Sequence, residues 1–193
     1  LLTLKKPKGG VRPIAIGEIL RRLVGECLCS CVKEDAQKFF EPLQVGVACK
    51  LGIDAAVHSC RKWASTNTDN HNKVLLKIDF SNAFNCVDRE SILRRVQASL
   101  PDLARWATWC YAKPTKLVFG TRTIDSATGV QQGDPLGPLL FSLAIHDTVQ
   151  ELYNLSVDGH KLDMTAFYLD DGMIAGDVTK PSASSNVVAP HWA

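Results

Sequence analysis

The chain has 193 residues, enough for one domain or one and a half, and its 46% hydrophobic content is ample for a buried core. Its formal charge is only +2, from 22 Lys+Arg against 20 Asp+Glu, which by itself argues for no partner. No apolar run is long enough to span a bilayer and the first residues are not a signal peptide, so the reading is of an intracellular protein with no membrane partner.

The chain opens with Leu1, not Met, and is expected to be a fragment of a longer protein. Its basic residues crowd the beginning: Lys5, Lys6, Lys8, Arg12, Arg21, Arg22 and Lys33, against Glu18 and Glu26. Such an end suits an anionic ligand such as phosphate, or is a solvated basic face. The cysteines (Cys27, Cys29, Cys31, Cys49, Cys60, Cys86 and Cys110) are odd in number and follow no secretory signal. They are expected to be reduced and mostly in the core.

In chain order, residues 5–16 read as a strand pair turning at Gly9-Gly10, with Val11 to Ile16 returning and Lys5, Lys6, Lys8 and Arg12 near the tip. Residues 18–40 read as one long amphipathic helix. Its stripe of Ile19/Leu20, Leu23/Val24, Cys27/Leu28, Cys31/Val32, Ala36 and Phe39/Phe40 faces a core, and Pro42 ends it. A second helix is expected over residues 54–65, capped by Asp54, with Val57, Cys60 and Ala64 inward and His58 packed beside them. Lys73 to Phe80 reads as a strand buried on both faces, ending in Asp79. Asp88 caps a helix to Leu100 with Ile92, Leu93, Val96 and Leu100 inward. Pro101 starts another, with Leu103, Trp106 and Cys110, and Trp109 sits in its core or rim. Lys116 to Ile124 forms a hairpin at Gly120-Thr121. A tight polar loop beginning at Gly129 opens at Pro138 into a helix reaching about Leu155. Beyond Asp177 the chain turns Ser/Pro-rich and is expected to be a flexible, divergent tail over residues 178–193.

Between the last helix and that tail lies Thr165-Ala-Phe-Tyr-Leu-Asp-Asp-Gly-Met-Ile-Ala175, two short apolar strands around Asp170 and Asp171. Asp-Gly is a hairpin signal and would put Asp171-Gly172 in the turn. Adjacent carboxylates repel until a cation or protonation relieves them. Asp79, at the end of another strand, supplies a third carboxylate if the strands are neighbours. A cluster of oxygen ligands suits Mg²⁺, and two such ions about 3.5–4 Å apart would clamp the attacking and leaving oxygens of a phosphoryl displacement. The basic hairpin could then hold a polyphosphate.

The order of these motifs resembles the reverse transcriptases, over residues 5 to 177. Asp79-Phe-Ser-Asn-Ala-Phe84 resembles the family's first catalytic motif, Gly129-Val-Gln-Gln-Gly-Asp-Pro-Leu-Gly-Pro138 its second palm motif, and Tyr168-Leu-Asp-Asp171 its aromatic-x-Asp-Asp hairpin. Gly10-Val-Arg-Pro-Ile14 resembles the fingers motif whose arginine meets the triphosphate. The Gln-Gly-Asp-Pro-Leu block and the long interval from Arg12 to Asp79 look like non-LTR (LINE-type) retrotransposon enzymes, features shared by group II intron and retron enzymes. Gln44-Val-Gly-Val-Ala48 sits where longer members carry an additional fingers motif.

The resemblance implies an α+β polymerase fold of fingers and palm, with an antiparallel palm sheet packed on helices and the thumb missing. The reverse transcriptase domain would cover residues 1–177, with fingers at about 1–72 and part of 101–128, and palm at about 73–100 and 129–177. It implies two Mg²⁺ ions, with Mn²⁺ as a substitute, held by Asp79, Asp170, Asp171 and the backbone carbonyl of Phe80. Phe84 would be the steric gate against a 2′-hydroxyl. Gln132, Gly133 and Tyr168 would shape the nucleotide pocket, and Arg12 with Lys6 would hold the triphosphate. Partners would be an RNA template, a DNA primer and dNTPs, with thumb and endonuclease modules elsewhere in the full-length protein. The hairpin would turn at Leu169-Asp170, leaving Gly172 in the returning strand and Asp170 pointing at Asp79. The alternative is a truncated, inactive retroelement relic that only binds nucleic acid. An RNA-dependent RNA polymerase is disfavoured by Tyr168-Leu169 and Phe84.

Overall fold

A computed structural model describes residues 1–7, 9–157 and 160–178. Lys8 and all of the expected 178–193 tail except Val178 lie outside them. Helices mix with antiparallel strands, as an α+β chain requires. The chain divides into two compact units: Leu1–Ala36 with Asn82–Ala144, and Gln37–Ser81 with the described residues from Ile145 on.

β1 (Leu2–Lys5) pairs antiparallel with β2 (Val11–Ile14), Lys5 opposite Val11. Gly9 and Gly10 turn between them at φ 93° and 81°, a region open to glycine. The expected single helix over 18–40 is two: α1 (Ile19–Cys31) and α2 (Lys33–Phe40), broken at Val32. The expected stripe is half right. Ile19 and Leu20 are 84% and 72% exposed and Leu23 is also out, whereas Val32, Ala36 and Phe40 are buried. The cause is a distant loop: Gly25 lies against the Pro135 ring and Arg21 pairs with Asp134, so α1 turns its 21–25–29 line inward.

α3 (Gly52–Thr66) starts two residues before the expected Asp54 cap. Leu51 holds the N-cap at φ 58°, and a Cβ on Gly52 would overlap the Val45 carbonyl oxygen, so only glycine can start the helix there. Asp54 instead sits in the first turn, where a negative charge suits the helix dipole. Ala56 is buried and Cys60 partly so, while Val57, Ala64 and His58 are exposed, contrary to expectation.

β3 (Lys73–Asp79) ends in Asp79 as expected. It is an edge strand of a three-stranded sheet, not one buried on both faces; Leu75 and Leu76 are exposed. An edge strand has a neighbour on one side only, so less of each face is covered.

α4 (Ala83–Cys86) leads to α5 (Arg89–Ser99), which Asp88 caps by accepting the Ser91 N–H at 2.7 Å. A single 3₁₀ turn from Pro101 leads into α6 (Ala104–Tyr111). Ile92, Val96, Leu100, Leu103, Ala107 and Cys110 form the core these helices share. Trp109 stands outside it, exposed and stacked on Trp106 at 4.9 Å between centroids. β4 (Thr115–Phe119) and β5 (Arg122–Ser126) form the expected hairpin at Gly120.

α7 (Gly137–Asn154) begins one residue before Pro138. The short pair β6 (Ser156–Val157) and β7 (His160–Lys161) follows, then β8 (Met164–Tyr168) and β9 (Asp171–Asp177). The sheet order is β3-β9-β8, all antiparallel. The cysteines are all unbridged, but of the seven only Cys110 is buried; Cys27, Cys31 and Cys86 are exposed, against the expectation of core positions. Among the described residues no helix is long and apolar enough to cross a membrane.

Candidate functional site

The second unit carries the carboxylates. β8 and β9 close with Tyr168 opposite Asp171, so Leu169 and Asp170 are the two turn residues. The Asp-Gly rule misplaces the turn because Gly172 is needed within β9. The Phe167 ring lies over it, and a Cβ there would sit 2.5 Å from a ring carbon. On the other side of β9, Asp79 faces Asp171 directly and Ile78 faces Gly172. Directly opposed residues share one face of the sheet, so Asp79 and Asp171 stand side by side, with Asp170 adjacent in the chain. Asp171, rather than Asp170, is the lateral partner of Asp79.

Lys77 lies two residues before Asp79, on the same face by strand alternation. Its Nζ is 3.1 Å from Asp171 Oδ1. Its pKa is raised, first by the hydrogen bond to Asp171 and the charge of that group, then by the charges of Asp79 and Asp170. All three carboxylates therefore act on one ammonium. Phe80, the next residue after Asp79, stacks on Phe167 at 6.5 Å between centroids, and Tyr168 is half-buried.

The donor set consists of carboxylate oxygens, which suit a hard divalent cation. Among the described residues no group of three or more His, Cys, Asp or Glu is placed to hold a metal ion. Mg²⁺ does not require such a group: it keeps several waters and is bound through one or two carboxylates plus substrate phosphates. The facing pair Asp79 and Asp171, with Asp170 beside it, fits an ion of that kind. Lys77 would have to yield one oxygen of Asp171.

The first unit carries the remaining expected residues. Arg12 is exposed on β2, opposite Leu4, and Lys6 opens the turn, its carbonyl accepting the Gly9 N–H at 3.1 Å. The Ala15 N–H donates to the Gln132 carbonyl at 2.7 Å. Gly133 has φ 116°, and a Cβ there would lie 2.6 Å from the Ala15 oxygen, so only glycine lets the loop approach the chain following β2. Phe84, on α4, stacks on Phe141 at 4.5 Å. Its carbonyl accepts the Val130 N–H at 2.7 Å, and the Gly129 N–H donates to the Val87 carbonyl. The strand of Arg12, the helix of Phe84 and the Gln132-Gly133 loop are thus hydrogen-bonded into one assembly. Asp79, Asp170, Asp171, Phe80 and Tyr168 form the other group, in the second unit.

Four polar residues hold the loop in a way that the sequence did not assign to them. Asp134 accepts from Tyr111 Oη at 2.6 Å, from Arg21 at 3.1 Å and from the Leu136 N–H at 3.0 Å. Burial, and then the Asp134 charge, push the Tyr111 phenol well above its ordinary value, so it remains a donor. Arg89 is buried and donates to the carbonyls of Ser126, Thr128 and Gly129 and to Ser126 Oγ. Its guanidinium lies 5.1 Å from the Tyr111 ring centroid and that of Arg21 lies 5.5 Å from it. Strand alternation could have flagged Lys77; nothing local flags Arg89, whose partners lie about forty residues away.

Residues 4–187 match the reverse transcriptase (RNA-dependent DNA polymerase) family. The retrotransposable element SLACS 132 kDa protein of Trypanosoma brucei gambiense is 31% identical over 98% of the chain. The retrovirus-related Pol polyprotein from type-1 retrotransposable element R2 of Popillia japonica is 26% identical over 91%. The chain spans 15% and 26% of those two relatives. In fold, it is similar to a solved apo telomerase from Candida tropicalis, truncated from its C-terminal domain, with a TM-score of 0.63, 8% identity, and coverage of 94% of this chain and 44% of that one. Both sequence relatives are retrotransposable-element proteins, in keeping with the non-LTR resemblance of the motifs. The chain belongs to the reverse transcriptase family.

Proposed function

We propose that the chain carries the nucleotidyl-transfer centre of an RNA-directed DNA polymerase from a non-LTR retroelement. The observation that carries this reading is the register of β3 on β9, which sets Asp79 beside Asp171 under the Leu169-Asp170 turn. Family membership supports it, since reverse transcriptases act on nucleic acids and use divalent metals. In this reading residues 73–100 and 129–177 form the palm, and residues 1–72 with part of 101–128 form the fingers.

The reaction joins the primer 3′-oxygen to the α-phosphorus of a dNTP as the bond to the pyrophosphate oxygen breaks. Asp79, Asp170, Asp171 and the Phe80 carbonyl would hold two Mg²⁺ ions, or Mn²⁺ in their place. When bound, such ions activate the attacking oxygen and neutralise charge on the leaving one. Arg12, with Lys6, would hold the triphosphate and meet the charge that gathers on pyrophosphate. Gln132, Gly133 and Tyr168 would each serve in nucleotide binding. Phe84, its ring fixed against Phe141, would exclude a 2′-hydroxyl, the group that separates RNA from DNA building blocks.

Primer extension tests the reading. On poly(rA)/oligo(dT) with Mg²⁺, the chain incorporates dTTP, and Asp170→Ala abolishes incorporation. Phe84→Ala raises ribonucleotide use relative to dNTP; an unchanged ratio removes the gate assignment.

A further inference from the structure

Leu169, the first residue of the turn that presents Asp170, is held at φ 57°. That left-handed region is disfavoured for any residue with a Cβ, so the turn needs outside support. The support comes from a distant segment. Residues Leu43, Gln44 and Val45 lie along the edge of β8 away from β9. There the Leu43 carbonyl accepts the Phe167 N–H at 2.7 Å and the Val45 N–H donates to the Phe167 carbonyl at 2.8 Å.

This bridge places the Gln44 side chain, only 2% exposed, against the backbone of Leu169. Its Oε1 accepts the Leu169 N–H at 2.8 Å, and its Nε2 donates to the Leu169 carbonyl at 3.2 Å. The same Oε1 accepts the Gly46 N–H at 3.0 Å, which fixes the amide's orientation. One residue thus has both its backbone groups satisfied by one side chain. Only a primary amide of this length offers a donor and an acceptor together; a carboxylate offers acceptors alone. Gly46 completes the cradle. A Cβ there would lie 2.7 Å from Leu169 N and 2.9 Å from Leu169 Cγ, so any side chain would push the turn away.

We infer that Gln44, with Gly46 leaving room for it, is a positioning residue that locks the Leu169-Asp170 turn and so sets where Asp170 presents its carboxylate. The fold itself asks for less: β8 and β9 are already paired from Met164 to Tyr168. The functional consequence rests on the polymerase reading, because a carboxylate that binds metal must be held closely. A misplacement of about 1 Å can cost roughly a hundredfold in rate.

The test pairs amide hydrogen exchange with primer extension on the unsubstituted chain, Gln44→Ala and Gln44→Glu. In the unsubstituted chain the Leu169 N–H is protected. Gln44→Ala removes that protection while the amides of Met173 and Ile174 keep theirs, and Gln44→Glu, which retains the acceptor, restores it. In extension, Gln44→Ala lowers kcat for dTTP about 10- to 100-fold, leaves the dTTP KM within about twofold, and raises the Mg²⁺ needed for half-maximal rate. Gln44→Glu falls between the two. An exposed Leu169 amide in the unsubstituted chain, or one unmoved by Gln44→Ala, overturns the clamp. Loss of Leu169 protection with kcat and Mg²⁺ dependence unchanged overturns the positioning role. If the unsubstituted chain incorporates nothing even with a thumb restored, the polymerase reading fails, and the exchange comparison still decides the clamp.

Discussion

Lys77 and Asp88 show two ways a single charge is used. Lys77 is exposed, yet its pKa rises because it bonds Asp171 and feels Asp79 and Asp170. Its folded pKa lies above the ordinary lysine value. The pairing is therefore complete at neutral pH and is lost only as pH rises through the lysine range. A divalent cation must compete with it for Asp171. Lys77→Met should thus lower the Mg²⁺ concentration giving half-maximal extension, by no more than about fivefold because the pair is solvent-screened. A Mg²⁺ titration of extension rate reads it. Asp88 runs the other way. The Ser91 N–H holds its carboxyl below the usual range, so its contribution is present at neutral pH and fades as pH falls through that lowered value. Asp88→Ala should cost about 1 kcal/mol at pH 7 by denaturant unfolding, and the gap between variant and parent should shrink in acid.

At the scale of elements, the hairpin of β8 and β9 shows where sequence reading succeeds and where it stops. Two apolar runs around Asp170-Asp171 are enough to call for a hairpin, and the strand pairing follows. The turn position is not local information. It depends on the Phe167 ring covering Gly172, a contact that the Asp-Gly rule cannot contain. Gly172→Ala should therefore destabilise the second unit by about 1–3 kcal/mol, the range for overpacking, as measured by urea unfolding. A variant as stable as the parent would mean that the ring moves aside at no cost. α1 shows the same limit. Its apolar period was visible, but Gly25 against Pro135 and Arg21 on Asp134 choose which line faces inward. Helix breaks at single residues such as Val32 carry no strong signal, since valine is tolerated within helices.

At the scale of the molecule, the ordered motifs were legible because each is contiguous: Asp79 to Phe84, Gly129 to Pro138, Tyr168 to Asp171. What joins them was not legible. The facing of Asp79 and Asp171, the bonds of Arg89 to Ser126, Thr128 and Gly129, and the grip of Gln44 on Leu169 all link distant residues. The chain divides these parts between two units, with the carboxylates in one and Arg12, Phe84 and Gln132 in the other. Nucleic-acid binding, resting on phosphate contacts, should weaken steeply with salt whatever the sequence bound. It cannot by itself tell a polymerase from a binding relic, whereas chemistry at Asp79 can. The decisive measurement is the single-turnover rate of Mg²⁺-dependent dTTP incorporation on poly(rA)/oligo(dT) by the parent chain and by Asp79→Asn, which keeps the size of the side chain and removes its charge. The parent should incorporate and Asp79→Asn should lose on the order of a thousandfold or more with its fold intact. Equal rates in the two, or no templated incorporation at any Mg²⁺ concentration by the parent even with a thumb restored, would contradict a metal-dependent polymerase centre built on Asp79, Asp170 and Asp171.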